Sequence, residues 1–383
     1  HRLFRRQRQM CIRDSDSFKP VTKYFDRITR PEQIIQSLPQ AIQTMLDPAD
    51  TGPACLSLCQ DVQGEIFDYP EEFFKERIHN IRRPKPDDFQ IKQAIEKIKK
   101  SKKPIIISGG GVFYSDAMDE LGSFAIKHNI PVTQTVMGYS TMKRDHSHFL
   151  GPIGGLGGRA ANNLAKETDL AICVGTKLAD FTTGSWANFE NPEFKLVSIN
   201  IARHDANKHL AEAVIGDAKV CLSELSNSLG NWKSPDSWHK KSQDELKSWN
   251  EYVDKESGPT NQETPNYAHA VGAIYRNSDP TDIAVTAAGG LVGEVVQVWR
   301  PKELNTHETE WGFSCMSYEI SGALGIKMAN PDKDVIAFVG DGSYLLNNSD
   351  IYSSVLTNNK LIIIVCDNGC LLYTSPSPRD RIR

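Results

Sequence analysis

Two short apolar runs, each followed by a polar turn, limit most strongly what this chain can fold into. Val335 to Val339 (Val-Ile-Ala-Phe-Val) and Leu361 to Cys366 (Leu-Ile-Ile-Ile-Val-Cys) contain no charged residue, which predicts strands buried on both faces and therefore parallel. Leu345 to Leu356 between them has the length and apolar spacing of a crossover helix. In a right-handed unit of this kind both strands end on the same edge of the sheet, so the residues after them converge on the crevice where such sheets bind ligands. Those residues are Gly340-Asp341-Gly342-Ser343 and Cys366-Asp367-Asn368-Gly369. A carboxylate from Asp341 and an amide oxygen from Asn368 suit a hard cation such as Mg2+, which takes few protein ligands and fills its shell with phosphate oxygens and water. Glycine amides can approach a phosphate without obstruction by a β-carbon.

Upstream, the pattern is again strand alternating with helix. Strands are expected at Pro104 to Ser108, Pro131 to Thr135, Leu170 to Val174 and Lys195 to Asn200 within a segment running from Asp87 to about Leu229. Ser108-Gly109-Gly110-Gly111 follows the first of these but does not match Gly-x-Gly-x-x-Gly, and no acidic residue ends the strand at Pro131 to Thr135 where a ribose would require one. Glycines that permit a tight turn and close helix packing are the plainer reading. Nearer the start, Pro31 to Leu46 reads as a helix with Thr29 as N-cap, and Ala54 to Leu58 as a strand. Cys55 and Cys59 would share one buried face there, with no second pair to complete a metal site. A Pro- and charge-rich connector through Arg82-Arg83-Pro84-Lys85-Pro86 reads as a linker. Asn231 to Glu263 reads as helix plus connector, and a further domain opens near Thr264-Pro265. The fold class is α/β, with parallel-sheet domains carrying helices on both faces.

The segment around Asp341 resembles the diphosphate-binding motif of thiamine-diphosphate enzymes, in which Gly-Asp-Gly is followed some two dozen residues later by an Asn. Here the two residues are 27 positions apart. The resemblance implies thiamine diphosphate and Mg2+ as cofactors, Asp341 and Asn368 as metal ligands, and Gly340, Gly342 and Ser343 beside the diphosphate. It also brings Gly289 and Gly290 of Ala287-Ala288-Gly289-Gly290, after the strand expected at Ile283 to Thr286, toward the same anion. A turn that simply needs small residues is the other reading of that loop. Met316 reads as a core residue by pattern alone, and the resemblance places it under the bent cofactor.

The same resemblance divides the chain into residues 16–83, the end of a pyrimidine-binding domain; 87–229, a central Rossmann-like domain; 230–263, a connector; and 264–369, a diphosphate-binding domain incomplete at its end. Gly151 to Gly158, Asp169, Gly175 and Asp180 resemble the central domain of acetohydroxyacid-synthase-like members, some of which bind FAD or a nucleotide; FAD or NAD is not expected here. Within the family the match is to members that open a cyclic 1,2-dione in inositol catabolism. It rests on Trp311-Gly312-Phe313-Ser314-Cys315-Met316-Ser317-Tyr318-Glu319, Asn348-Ser349-Asp350-Ile351-Tyr352-Ser353-Ser354 and Cys366 to Gly369. Tyr318-Glu319 suits a polyhydroxylated substrate, although Glu319 could equally be a solvated helix start. The alternatives are an acetolactate-synthase-like carboligase, a nucleotide-binding module and a non-catalytic relative.

The family's activating Glu belongs to the pyrimidine-binding domain, most of which precedes this chain. No residue here is assigned that role, and the isolated chain is expected not to turn over. Residues 1–15 and 370–383 resemble translated sequencing adapters rather than native protein, and the family's third metal ligand, a backbone carbonyl, would fall at Cys370. The chain has 383 residues, a net charge of −4 and eight scattered cysteines. No apolar run reaches the length of a membrane helix, and no basic stripe alternates with aromatics as nucleic-acid binding would require. The expectation is a cytoplasmic enzyme with reduced thiols, a homodimer or homotetramer when whole, acting on a small molecule.

Overall fold

The computed structural model describes residues 15–368. The adapter-like ends lie outside that span, apart from Ser15, as does the carbonyl expected at Cys370. The described residues fall into two compact units, one reaching Pro84 and including Ile201–Arg203, the other comprising Lys85–Asn200 and the residues from His204 onward.

In the first unit, strand β1 (Tyr24–Ile28), helix α1 (Ile34–Leu46) and strand β2 (Ala54–Leu58) form a small β-α-β unit. The two strands are parallel, in register from Tyr24 opposite Ala54 to Ile28 opposite Leu58. The expected Thr29 cap is not formed. A 3-10 turn, Pro31–Gln33, precedes α1, and Gln33 Oε1 reaches back to accept from the Thr29 and Arg30 amides at 2.6 and 2.9 Å. The side chain thus reaches back from the turn to the backbone ahead of it, the reverse of a cap by the threonine hydroxyl. Cys59 is buried and Cys55 half-buried.

The second unit holds two parallel sheets. The first runs through helix α2 (Asp88–Lys100), β3 (Pro104–Ser108), α3 (Met118–His128), β4 (Val132–Gln134), β5 (Phe149–Pro152), α4 (Arg159–Glu167), β6 (Leu170–Val174), β7 (Lys195–Asn200), β8 (Glu212–Ile215) and α5 (Ala218–Leu229). Its strand order is β5-β4-β3-β6-β7-β8. β3 and β6 are buried at every position, as their unbroken apolar sequences require. The Lys-rich run from Lys99 to Lys103 begins as the last turn of α2, where cations favour the helix C-terminus.

Helix α6 (Asp236–Glu256) joins this sheet to the second, built from α7 (Tyr267–Asn277), β9 (Ile283–Thr286), α8 (Leu291–Val298), β10 (His307–Thr309), α9 (Tyr318–Ala329), β11 (Val335–Gly340), α10 (Asp341–Leu346), α11 (Ser349–Leu356) and β12 (Ile362–Cys366). The strand order is β10-β9-β11-β12. α6 is a packed wedge rather than a loose connector. Its Trp238 and Trp249 join one apolar cluster with Ile105 and Cys173 of the first sheet and Phe338 of the second, and Trp238 Nε1 donates to the Pro104 carbonyl at 2.8 Å.

Two expectations about the second sheet are corrected. The crossover is two helices, because Asn347 adopts an extended conformation (φ −156°, ψ 96°) and breaks the run. Asn competes for the backbone with its own side chain, which weakens it inside a helix. β12 is not fully buried, with Val365 43% exposed, because among the described residues only β11 flanks it. No helix among the described residues is long and apolar enough to cross a membrane.

Candidate functional site

Parallel pairing of β11 with β12 runs in register from Ile336 opposite Ile362 to Gly340 opposite Cys366. Asp341 and Asp367 are therefore the first residues beyond the paired ends of the two strands, and Asn368 follows one residue later. Asp341 is the first residue of α10, which opens without a loop after Gly340 (φ −74°, ψ 155°). Asn368 is exposed, and its Nδ2 donates to the Tyr267 hydroxyl at 2.7 Å. This contact commits the amino end of the amide and makes the oxygen the end that could ligate a cation. Tyr267 was not singled out in the sequence, and nothing local to it signals a partner so distant along the chain.

β9 ends at Thr286 and leads into the Ala287–Gly290 loop, where Gly289 has φ +82°. A β-carbon there would be strained by the backbone, although it would meet no atom within 4 Å. The same open space surrounds Gly340. Thr286 Oγ1, at the carboxyl end of β9, is buried with no hydrogen-bond partner. Gly289, Gly290, Gly340, Asp341, Gly342 and Ser343 thus lie at the carboxyl ends of the adjacent strands β9 and β11.

A third segment reaches the same edge. Glu310 closes the turn before α9 by accepting from the Phe313 and Cys315 amides at 3.2 and 2.6 Å. Ser317 is held at φ +75°, and its hydroxyl donates to the Ser343 carbonyl, fastening this turn to the start of α10. Met316, between them, is 38% exposed. It is not the core residue its pattern suggested, because it sits on a tight turn ahead of the helix rather than on the helix itself.

Glu319 is not a solvated helix start. It is 1% exposed, one oxygen, Oε2, has no partner, and Oε1 accepts from the Ala288 amide at 3.5 Å. Burial raises its pKa, an effect partly offset by its own amide, those of Ala288 and Ser317, and the Ser343 hydroxyl. The sequence could not show this, since an acidic residue in the first turn is the ordinary solvent-facing complement to a helix dipole.

The Gly109 to Gly111 turn has a different environment. The Gly109 and Gly111 amides donate to the Val174 and Gly175 carbonyls, each at 2.9 Å. A β-carbon on Gly111 would lie 2.6 Å from Gly175 Cα, and one on Gly109 2.4 Å from the Gly175 carbonyl oxygen. These glycines permit two backbones to touch, the plainer of the two readings.

No group of three or more His, Cys, Asp or Glu that could hold a metal occurs among the described residues. A two-residue pair such as Asp341 and Asn368 would need ligands from a bound phosphate and from water, the arrangement Mg2+ favours.

Residues 91–225 match the family described as thiamine pyrophosphate enzyme, central domain, and residues 287–380 match thiamine pyrophosphate enzyme, C-terminal TPP binding domain. The chain is 39% identical over 386 aligned residues to the 3D-(3,5/4)-trihydroxycyclohexane-1,2-dione hydrolases of Clostridium perfringens (strain 13 / Type A) and Clostridium botulinum (strain Alaska E43 / Type E3). It is 39% identical over 389 residues to the Bacillus anthracis protein of the same name. In each case 94% of this chain is covered, and the chain spans 60% of the relative's length. With both domain matches falling on the two parallel sheets, and the second including the Asp341 and Asn368 strand ends, the chain belongs to the thiamine pyrophosphate enzymes.

Proposed function

We propose that this chain holds thiamine diphosphate and Mg2+ at the carboxyl ends of β9 and β11. In this reading the corresponding whole protein opens the ring of 3D-(3,5/4)-trihydroxycyclohexane-1,2-dione to 5-deoxyglucuronate in myo-inositol catabolism. The observation that carries the substrate is the 39% identity, sustained over 94% of the chain, to proteins named for that hydrolysis. The observation that supports the cofactor is the chemistry of the strand ends. Open space beside Gly289 and Gly340, with the unpartnered Thr286 hydroxyl among the polar groups of that edge, fits a polyanionic group that takes hydrogen bonds from backbone amides.

Asp341 and the Asn368 amide oxygen would hold the metal. The amides at Gly289, Gly290, Gly342 and Ser343, with Gly340 leaving room for approach, would meet the diphosphate. Met316 would support the rings with an apolar, polarisable side chain. When bound, thiamine diphosphate supplies the nucleophile and the electron sink for C–C cleavage. The chain's own contribution is to fix that group's position and to screen it from water. Tyr267 sets which end of the Asn368 amide faces the cation, and the Ser317 hydroxyl ties the Met316 turn to the start of α10. The reading includes a cytoplasmic setting and an assembly of two or four copies.

Calorimetric titration of the chain with thiamine diphosphate in the presence of Mg2+ tests the site. Asp341→Ala should weaken Mg2+-dependent binding by about a hundredfold, the scale of a lost charged ligand. Binding unchanged in that variant, or independent of Mg2+, would defeat the assignment.

A further inference from the structure

The proposed function leaves one buried acid at the same edge without a role. Glu319 is the second residue of α9, and its burial, which no cation offsets, raises its pKa. Three segments of chain are linked through this position. The Ala287–Gly290 loop reaches its side chain through the Ala288 amide, which donates to Oε1 at 3.5 Å. The turn before α9 ends at Ser317, two residues before Glu319, and the start of α10 meets that turn at Ser343. The last two segments are fastened to each other by the Ser317 hydroxyl on the Ser343 carbonyl. Without Glu319, the loop after β9 would lose its side-chain tie to that pair.

We infer that Glu319 is a positioning residue, a strut that sets the separation between the Ala287–Gly290 loop and the Asp341–Ser343 turn, the two amide-bearing segments assigned to the diphosphate. The inference rests on the cofactor reading above for its purpose, but the strut is a property of the ligand-free chain. A neutral carboxylic acid and a carboxamide have nearly the same shape, and each offers a carbonyl oxygen to the Ala288 amide. Alanine offers nothing and leaves that amide without its acceptor.

The test compares Glu319→Gln with Glu319→Ala in the full chain by two measurements. Hydrogen exchange at the Ala288 amide, without ligand, should quicken by about tenfold in the alanine variant, the loss of one hydrogen bond, and stay at the wild-type rate in the glutamine variant. Titration with thiamine diphosphate and Mg2+ should show affinity reduced by about tenfold in the alanine variant and restored within about threefold by glutamine. Equal exchange rates in the two variants, or an alanine variant indistinguishable from wild type in both measurements, would overturn the strut. A wild-type chain that binds no thiamine diphosphate, with the exchange pattern as expected, would remove the cofactor reading while leaving the strut in place. Both variants should keep the wild-type circular dichroism spectrum, and the glutamine variant distinguishes loss of the strut from misfolding.

Discussion

The two sheets of the second unit share one architecture but treat the carboxyl ends of their strands in opposite ways. In the six-stranded sheet the turn after β3 is packed against the chain itself. The Gly109 and Gly111 amides are spent on β6 and the residue after it, Ser108 and Thr141 share a hydrogen bond of 2.8 Å, and Asn200 donates to the Thr176 carbonyl. In the four-stranded sheet the same edge is left open, with space at Gly289 and Gly340 and unpartnered oxygens on Thr286 and Glu319. A glycine-rich turn after a parallel strand is therefore ambiguous on its own. What separates the two cases is whether the glycine faces backbone or empty space.

The largest expected effect is at the wedge that the two sheets share. Trp238→Ala should cost about 3–5 kcal/mol in urea denaturation, because it removes a ring from the joint core and leaves the Pro104 carbonyl without its donor. The glycine contrast comes next. Gly111→Ala should destabilise by about 2–3 kcal/mol, since its β-carbon would stand 2.6 Å from Gly175 Cα. Gly340→Ala should change stability by less than about 0.5 kcal/mol while weakening thiamine diphosphate binding. Equal stability losses in the two would break the distinction between filled and open edges.

A pH effect should arise in both sheets, since burial lowers the pKa of His307 in β10 to about 4, as it does for a histidine of the other sheet. His148 stacks on His239 of α6 with ring centroids 4.1 Å apart, and its pKa is lowered to about 4 by burial first and then by His239 and His146. The folded chain thus resists a proton that the unfolded chain accepts near pH 6.5. Its contribution to stability is complete above that pH and is lost as the pH falls toward 4, by about 1–2 kcal/mol. A urea midpoint unchanged between pH 7 and pH 5 would show that the stack opens at no cost. A last contrast compares strand interiors. Ile172→Thr in β6 should cost about 2–3 kcal/mol by burying a hydroxyl, whereas Val365→Thr in the edge strand β12 should stay within about 0.5 kcal/mol.

Much of this organisation could be read from the residues. Ile105 to Ile107, Leu170 to Val174 and Val335 to Val339 announce their strands because burial on both faces demands unbroken apolar side chains. β10 could not be found that way, since His307-Glu308-Thr309 is polar and is placed as a strand by its ladder to β9. β5 was hidden by its own Gly-Pro ending, and β1, Tyr-Phe-Asp-Arg-Ile, by charges in its middle. At the site, Asp341 and Asn368 were legible from spacing because chain topology alone brings successive strand ends together. Tyr267 and the burial of Glu319 were not, since both depend on contacts between segments far apart in sequence.

The wedge has one more consequence, for how the molecule comes apart. Because Trp238 and Trp249 sit in a cluster that also contains Ile105, Cys173 and Phe338, neither sheet can lose its packing without exposing apolar surface of the other. The filled sheet and the open one should melt as a single cooperative block despite their separate ladders. The open sheet then borrows rigidity from its closed neighbour, and a cleft that its own four strands would hold loosely inherits the stability of ten.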